Sequence, residues 1–158
     1  IFRQFGEESA ANRIAERIVK VRALSPIRRT LQLASTVESV VPRRGKTHPA
    51  TRVFQALRIA VNRELEAVEQ ALGQLLPLLE SGARLGVITF HSLEDRIVKT
   101  YFKQHSTQWI DRPEWPAPRP NPLFDARLIT RKAVIAGERE QSMNPRARSA
   151  KLRVIQRL

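Results

Sequence analysis

Apolar positions recur at three- and four-residue spacing through the first half of the chain, and the period shortens to two near its end. Val53, Leu57, Ala60, Val61, Leu65, Val68, Leu72, Leu75 and Leu79 make one apolar side of a segment running from Ala50 to Glu80 and ending near Gly82. The same spacing predicts helix over Phe2 to Leu24 and Thr30 to Val41. Pro77 should kink or end the long segment, because its ring meets the carbonyl of Gly73 four residues back. Beyond Gly82 the pattern changes. Val87, Ile88 and Phe90 form a short apolar run after Gly86, which predicts a central strand turning directly into a helix at His91 and Ser92. Ala126 to Ile135 is strand-like, and Ala150, Leu152, Val154 and Leu158 alternate with Lys151, Arg153 and Arg157 as in a half-buried strand. Between these lies Ser106 to Asp125, with five of the ten prolines and both tryptophans, a density that predicts a long extended loop.

The strand-to-helix turn carries the densest chemistry, and turns of this kind hold ligand sites in open α/β sheets. Ser92 and Asp95 have the spacing of a capping box, the serine oxygen accepting a first-turn amide and the carboxylate reaching back. On a wheel of about 100° per residue, Leu93, Ile97, Val98, Tyr101 and Phe102 fill one side and Glu94 falls inside that arc. Asp95, Arg96, Lys99 and Lys103 fall outside it. An inward carboxylate in a first turn is either held by helix amides and the dipole or faces a pocket. His91 and Glu94 are the candidate catalytic pair if the turn faces a pocket, and cap residues if it does not.

Charge narrows the class of partner. A formal charge of +13, from 28 basic against 15 acidic residues, points to a polyanion. No uncharged apolar run is long enough for a membrane span and no signal-peptide pattern is present. The absence of cysteine excludes disulfides, thiolate zinc sites and thiol nucleophiles within the chain. His48, His91 and His105 lack metal-ligand spacing, so no metal is expected.

Three basic patterns stand out. Arg52, Gln55, Arg58 and Asn62 share one helix face, where guanidiniums and amides together could bind phosphates and base edges, or could simply be solvated. Asn144 and Pro145 make a turn into Arg146, Arg148, Lys151 and Arg153, a spacing suited to clamping phosphates. Arg13, Arg17 and Lys20 read as a solvated stripe. Trp109, Trp115 and Phe124 could stack on unpaired bases or form an apolar lid on the sheet.

FGEESAANRIAERIV (Phe5 to Val19), HPATRVFQALRIAVNREL (His48 to Leu65), FHSLEDRIVK (Phe90 to Lys99) and NPRARSAKLR (Asn144 to Arg153) resemble, in this order along the chain, the RsmH (MraW) family of 16S rRNA cytosine-N4 methyltransferases. The resemblance covers most of the chain. It implies an S-adenosylmethionine-dependent enzyme that methylates a cytidine of 16S rRNA in the small ribosomal subunit, with a cytoplasmic location. The implied fold is α/β: residues 1–62 form a helical, substrate-recognising insertion, and residues 63–158 the C-terminal part of a doubly wound (class I) methyltransferase sheet. It also favours RNA binding by Arg52, Gln55, Arg58 and Asn62.

The family's glycine-rich cofactor loop and its serine- and proline-containing catalytic loop find no counterpart. Gly6, Gly45, Gly73, Gly82, Gly86 and Gly137 are scattered, and the chain begins with Ile1. The expectation is a carboxy-terminal portion, inactive alone, with S-adenosylmethionine bound mainly by a preceding half and a homodimer left open. A non-catalytic basic rRNA-binding module is the alternative. A DNA-binding protein is a weaker one, since no compact recognition-helix unit is present.

Overall fold

A computed structural model describes residues 1–43, 45 and 47–158, which divide into two compact units, Ile1–Glu64 and Leu65–Leu158. The first unit is helical: α1 (Phe2–Gly6), α2 (Ala11–Leu24), α3 (Thr30–Glu38) and α4 (Thr51–Asn62). Its core is Ile14, Val37, Ala50 and Val53. The helix expected from Phe2 to Leu24 is broken at Glu7, which adopts a left-handed φ of 49°. The Glu8 carboxylate accepts the amide of Ala10 at 2.9 Å, ahead of α2. At the start of α3, Gln32 Oε1 accepts the amides of Arg28 and Arg29 at 2.9 and 3.0 Å. These bonds satisfy donors just ahead of the helix.

The long segment expected from Ala50 to Glu80 is two helices, α4 and α5 (Glu64–Leu75), because Arg63 takes a left-handed φ of 53° and its amide bonds back to Ile59 O. The break resets the apolar phase. Val53, Ala56 and Ile59 are the buried positions of α4, whereas Val61, placed on the apolar side by periodicity, is 79% exposed. Helix α5 ends two residues before Pro77, as the lost ring clearance requires.

The second unit is α/β, with a sheet in which every pairing is antiparallel. Strand β6 (Lys151–Arg157) lies between β1 (Arg84–Thr89) and β4 (Ala126–Leu128), and β5 (Val134–Ile135) also pairs with β6. Helix α6 (Ser92–Ser106) follows β1, and its Val98 and Phe102 share a core with Leu72, Leu76, Ala126 and Ile155. Two expectations are corrected. β1 is not central, since its one described strand neighbour is β6, and Ile88 and Phe90 are 58% and 55% exposed. Ala126 to Ile135 is two strands, because Ile129 and Thr130 both donate to Val154 O while Thr130 Oγ1 accepts from Val154 N, closing a local bend.

The proline-rich stretch is not all loop. Trp109–Ile110 (β2) and Arg119–Pro120 (β3) pair as a two-stranded ribbon. A short helix, α7 (Glu138–Met143), and a 3-10 turn at Pro145–Ser149 lead into β6. Among the described residues no helix is long and apolar enough to cross a membrane.

Candidate functional site

The turn from β1 into α6 is built by a reciprocal cap. His91 is extended (φ −141°, ψ 165°) and its Nδ1 accepts the amide of Glu94 at 3.3 Å. Glu94 Oε2 reaches back to accept the amides of Phe90 and His91 at 2.9 and 3.3 Å. The capping box is therefore His91 with Glu94, one residue before the Ser92 and Asp95 box that the sequence spacing favours. Asp95 is engaged elsewhere. It accepts Arg153 Nε at 2.7 Å, Arg153 Nη2 at 3.1 Å and Lys151 Nζ at 3.3 Å, and is only 8% exposed rather than on the outer face. The hydrogen bond from Arg153 holds the Asp95 carboxyl below the usual carboxylate value, against the opposing effect of burial.

Because His91 Nδ1 accepts an amide, the neutral ring carries its proton on Nε2. That atom is buried and has no hydrogen-bond partner, although Glu94 Oε1 lies 3.3 Å from it. A buried donor left unsatisfied at the carboxyl end of a strand is costly unless something else meets it. The turn thus presents an N–H donor and a carboxylate side by side, suited to holding one edge of a polar, planar group.

A second titratable cluster had no sequence signal, because its members are far apart in the chain. His105 Nδ1 lies 2.7 Å from Asp125 Oδ1, Arg157 pairs with the same carboxylate, and the His105 ring stacks on Tyr101 at 4.3 Å. Burial, reinforced by the Asp125 charge, raises the Tyr101 pKa. The cluster holds α6 to the end of β6. His48 Nε2 in turn lies 3.0 Å from Glu38.

The expected nucleic-acid faces are partly occupied by internal contacts. Arg58 donates to both oxygens of Glu64 at 2.8 and 3.0 Å, and Asn62 to the same carboxylate at 3.1 Å. Exposed Arg52 bonds the carbonyl of Glu7 at 3.3 Å, and Gln55 is half-buried. Asn144 caps the 3-10 turn, its Oδ1 accepting the amide of Arg146 at 3.2 Å. Arg146 and Arg148 are exposed, whereas Lys151 and Arg153 turn to Asp95. Arg13 and Arg17 bond Val40 O and Ser39 Oγ at 2.8 and 3.2 Å, tying α2 to the end of α3. The guanidiniums of Arg112 and Arg119 both lie over the Trp115 ring, at 4.9 and 4.6 Å, Trp109 is 54% exposed, and Phe124 is half-buried.

The family model described as the MraW methylase family matches residues 1–158. The chain belongs to this family. A protein of Trichlorobacter lovleyi named Ribosomal RNA small subunit methyltransferase H is 50% identical over 161 residues, covering 100% of the chain and 51% of its own length. Proteins of the same name from Syntrophotalea carbinolica and Citrifermentans bemidjiense are 51% and 47% identical, again over 100% of the chain. The chain spans about half the length of these curated relatives, 51% and 52% of the latter two.

Proposed function

We propose that the protein containing this chain transfers a methyl group from S-adenosylmethionine to the exocyclic N4 of a cytidine in 16S rRNA of the small ribosomal subunit, in the cytoplasm. The observation that carries this reading is the match of residues 1–158 to the MraW methylase family. Relatives named as small-subunit rRNA methyltransferases and a charge of +13 support it. In this reading residues 1–62 are the substrate-recognising insertion and residues 63–158 the C-terminal part of a doubly wound methyltransferase domain.

The residues of the β1–α6 turn fit the substrate base better than the cofactor. A Cβ on Gly86, the glycine in β1, would meet the Leu152 and Val154 side chains at 3.6 and 3.9 Å, an ordinary contact within the sheet, and no run of glycines accompanies it to form a cradle of backbone amides. The cradle for S-adenosylmethionine is assigned to the half of the relatives that the chain does not span. What the turn offers is orientation. The N4 lone pair of cytosine is delocalised into the ring, so its nucleophilicity rises when an N4–H donates to a fixed acceptor. Glu94 is that acceptor in this reading. The His91 Nε2–H donor meets an acceptor on the same base and fixes its angle of presentation.

The test uses the full-length protein, labelled S-adenosylmethionine and unmethylated small subunits, followed by nucleoside analysis. Label in N4-methylcytidine is the expected result. Label confined to a ring-carbon product, or none at all, overturns the reading.

A further inference from the structure

The outer side of α6 belongs to none of the surfaces assigned above. Lys99 and Lys103, with Arg96 one turn earlier, line one wall of a groove of about 590 Å³, and Ile110 and Leu123 contribute apolar surface to it. Among its described lining residues there are three cations and no acid. On a helix of about 100° per residue the three cations fall within about 60° of one another, so their charge is presented along a single line.

The opposite wall is rigidly held. Asn121, 8% exposed, donates from Nδ2 to the carbonyls of Gln104 and Thr107 at 2.7 and 2.6 Å and accepts the amide of Leu123 at 3.0 Å. Those bonds fasten the β2–β3 ribbon and its following turn to the last turns of α6. Trp115, with the guanidiniums of Arg112 and Arg119 over its ring, braces the ribbon further along. The groove is therefore formed before any ligand arrives, which lowers the ordering cost of filling it.

We propose that this groove binds a single-stranded segment of RNA, its phosphates along Lys99 and Lys103 and an unstacked base against Ile110 and Leu123. The proposal rests on the rRNA reading for the class of partner and adds a surface to it. A line of cations beside an apolar floor matches a chain that alternates phosphates with flat apolar faces. A duplex buries those faces in its own stack and offers only phosphates and sugar edges. An acidic peptide would satisfy the cations and leave the floor empty.

The experiment uses the full-length protein and a labelled 12-nucleotide single-stranded RNA, titrated by fluorescence anisotropy across salt concentrations. The double variant Lys99→Ala/Lys103→Ala should bind about tenfold more weakly and lower the log–log salt slope by about 1.4, at roughly 0.7 per lost phosphate contact on a single strand. Lys99→Arg/Lys103→Arg should restore both, which separates charge from misfolding. Leu123→Ala, at a position already 49% exposed, should weaken binding about threefold and leave the slope unchanged. A wild-type slope in the double alanine variant, or displacement of the probe by a 12-base-pair RNA duplex or by polyglutamate at equal phosphate or carboxylate concentration, overturns the proposal. Methyl transfer to small subunits by the unmutated protein is read in parallel. Transfer with an unchanged slope in the variant removes the groove and leaves the enzyme, whereas a lost slope without transfer does the reverse.

Discussion

The guanidinium of Arg153 donates to both carboxylate oxygens of Asp95, at 2.7 and 3.1 Å, across 58 residues of sequence. Arg153 sits on β6 opposite Val87 of β1, so the pair fixes the first turn of α6 over the strand that delivers it. His91 and Glu94 inherit their placement from that restraint. Both partners are largely withdrawn from solvent, with side chains 12% and 11% exposed. Removing one leaves the other nearly buried and unpaired. Asp95→Ala should therefore lower stability by about 3 kcal/mol in urea unfolding, and a loss under about 1 kcal/mol would mean that water replaces the carboxylate at no cost.

The same pair sets an acid limit. Hydrogen bonding from Arg153 keeps the folded pKa of Asp95 below its ordinary 3.8, so its contribution to stability is complete above that value. It is lost as pH falls below about 3.8 toward the folded pKa. At the alkaline end the sign reverses, because the raised pKa of Tyr101 means the folded state keeps a proton that the unfolded chain gives up. Stability should fall as pH rises past 10, the ordinary tyrosine value. Asp95→Asn should flatten the acid limb and Tyr101→Phe the alkaline limb in melts across pH. Limbs that stay parallel to wild type would assign the pH dependence to other groups.

Two glycines should respond in opposite directions. A Cβ on Gly6 would lie 2.6 Å from the Arg52 carbonyl oxygen and 3.2 Å from Ala56 Cβ, where α1 meets α4. Gly6→Ala should cost about 2 kcal/mol through overpacking against backbone. Gly73 lies inside α5 with no atom within 4 Å of its would-be Cβ. Gly73→Ala should stabilise by about 0.7 kcal/mol, because alanine loses less backbone entropy in a helix. A denaturant midpoint that does not fall in Gly6→Ala would contradict the packing at Gly6, and one that does not rise in Gly73→Ala would contradict the open helix surface at Gly73.

The strand-turn-helix at Gly86 to Lys99 was legible because an apolar run ends at residues that cannot continue it, and the cap chemistry is local. Its register was not. Ser92 with Asp95 and His91 with Glu94 both have cap spacing, and serine is the commoner cap. What decides between them is Arg153, whose 58-residue separation from Asp95 leaves no periodic trace. The break at Arg63 was equally hidden, since a left-handed residue is ordinarily announced by glycine or asparagine. Once that break resets the helix, Val61 leaves the apolar side and Ile59 joins it. The basic faces were visible as charge, but the anion that occupies one of them, Glu64, sits just past the same break.

Glu94 has two separable duties in the proposed reaction. Its Oε2 caps α6, and glutamine at this position of a capping box preserves that bond while removing the charge. Glu94→Gln in the full-length protein should therefore keep its melting temperature and lose more than tenfold in turnover, about 1.4 kcal/mol of barrier. Glu94→Ala should lose both. If the glutamine variant turns over normally, Glu94 is a cap only. If it unfolds, the charge itself holds the turn.

RNA binding on α4 should be restrained by the carboxylate of Glu64, which accepts two bonds from Arg58 and one from Asn62. Phosphate must compete with that anion for the same donors, and the carboxylate also repels it. Glu64→Gln should therefore tighten binding of the full-length protein to 16S rRNA and steepen the salt slope, by roughly 0.7 if one phosphate contact is gained. Replacing the exposed Arg146 and Arg148 of the second unit with alanine should lower the slope by about 1.4. Arg13→Ala should leave the slope alone and cost about 1 kcal/mol of stability, since its guanidinium bonds Val40 O. A Glu64→Gln protein that binds more weakly would show that the carboxylate orders the α4 face for RNA rather than competing with it.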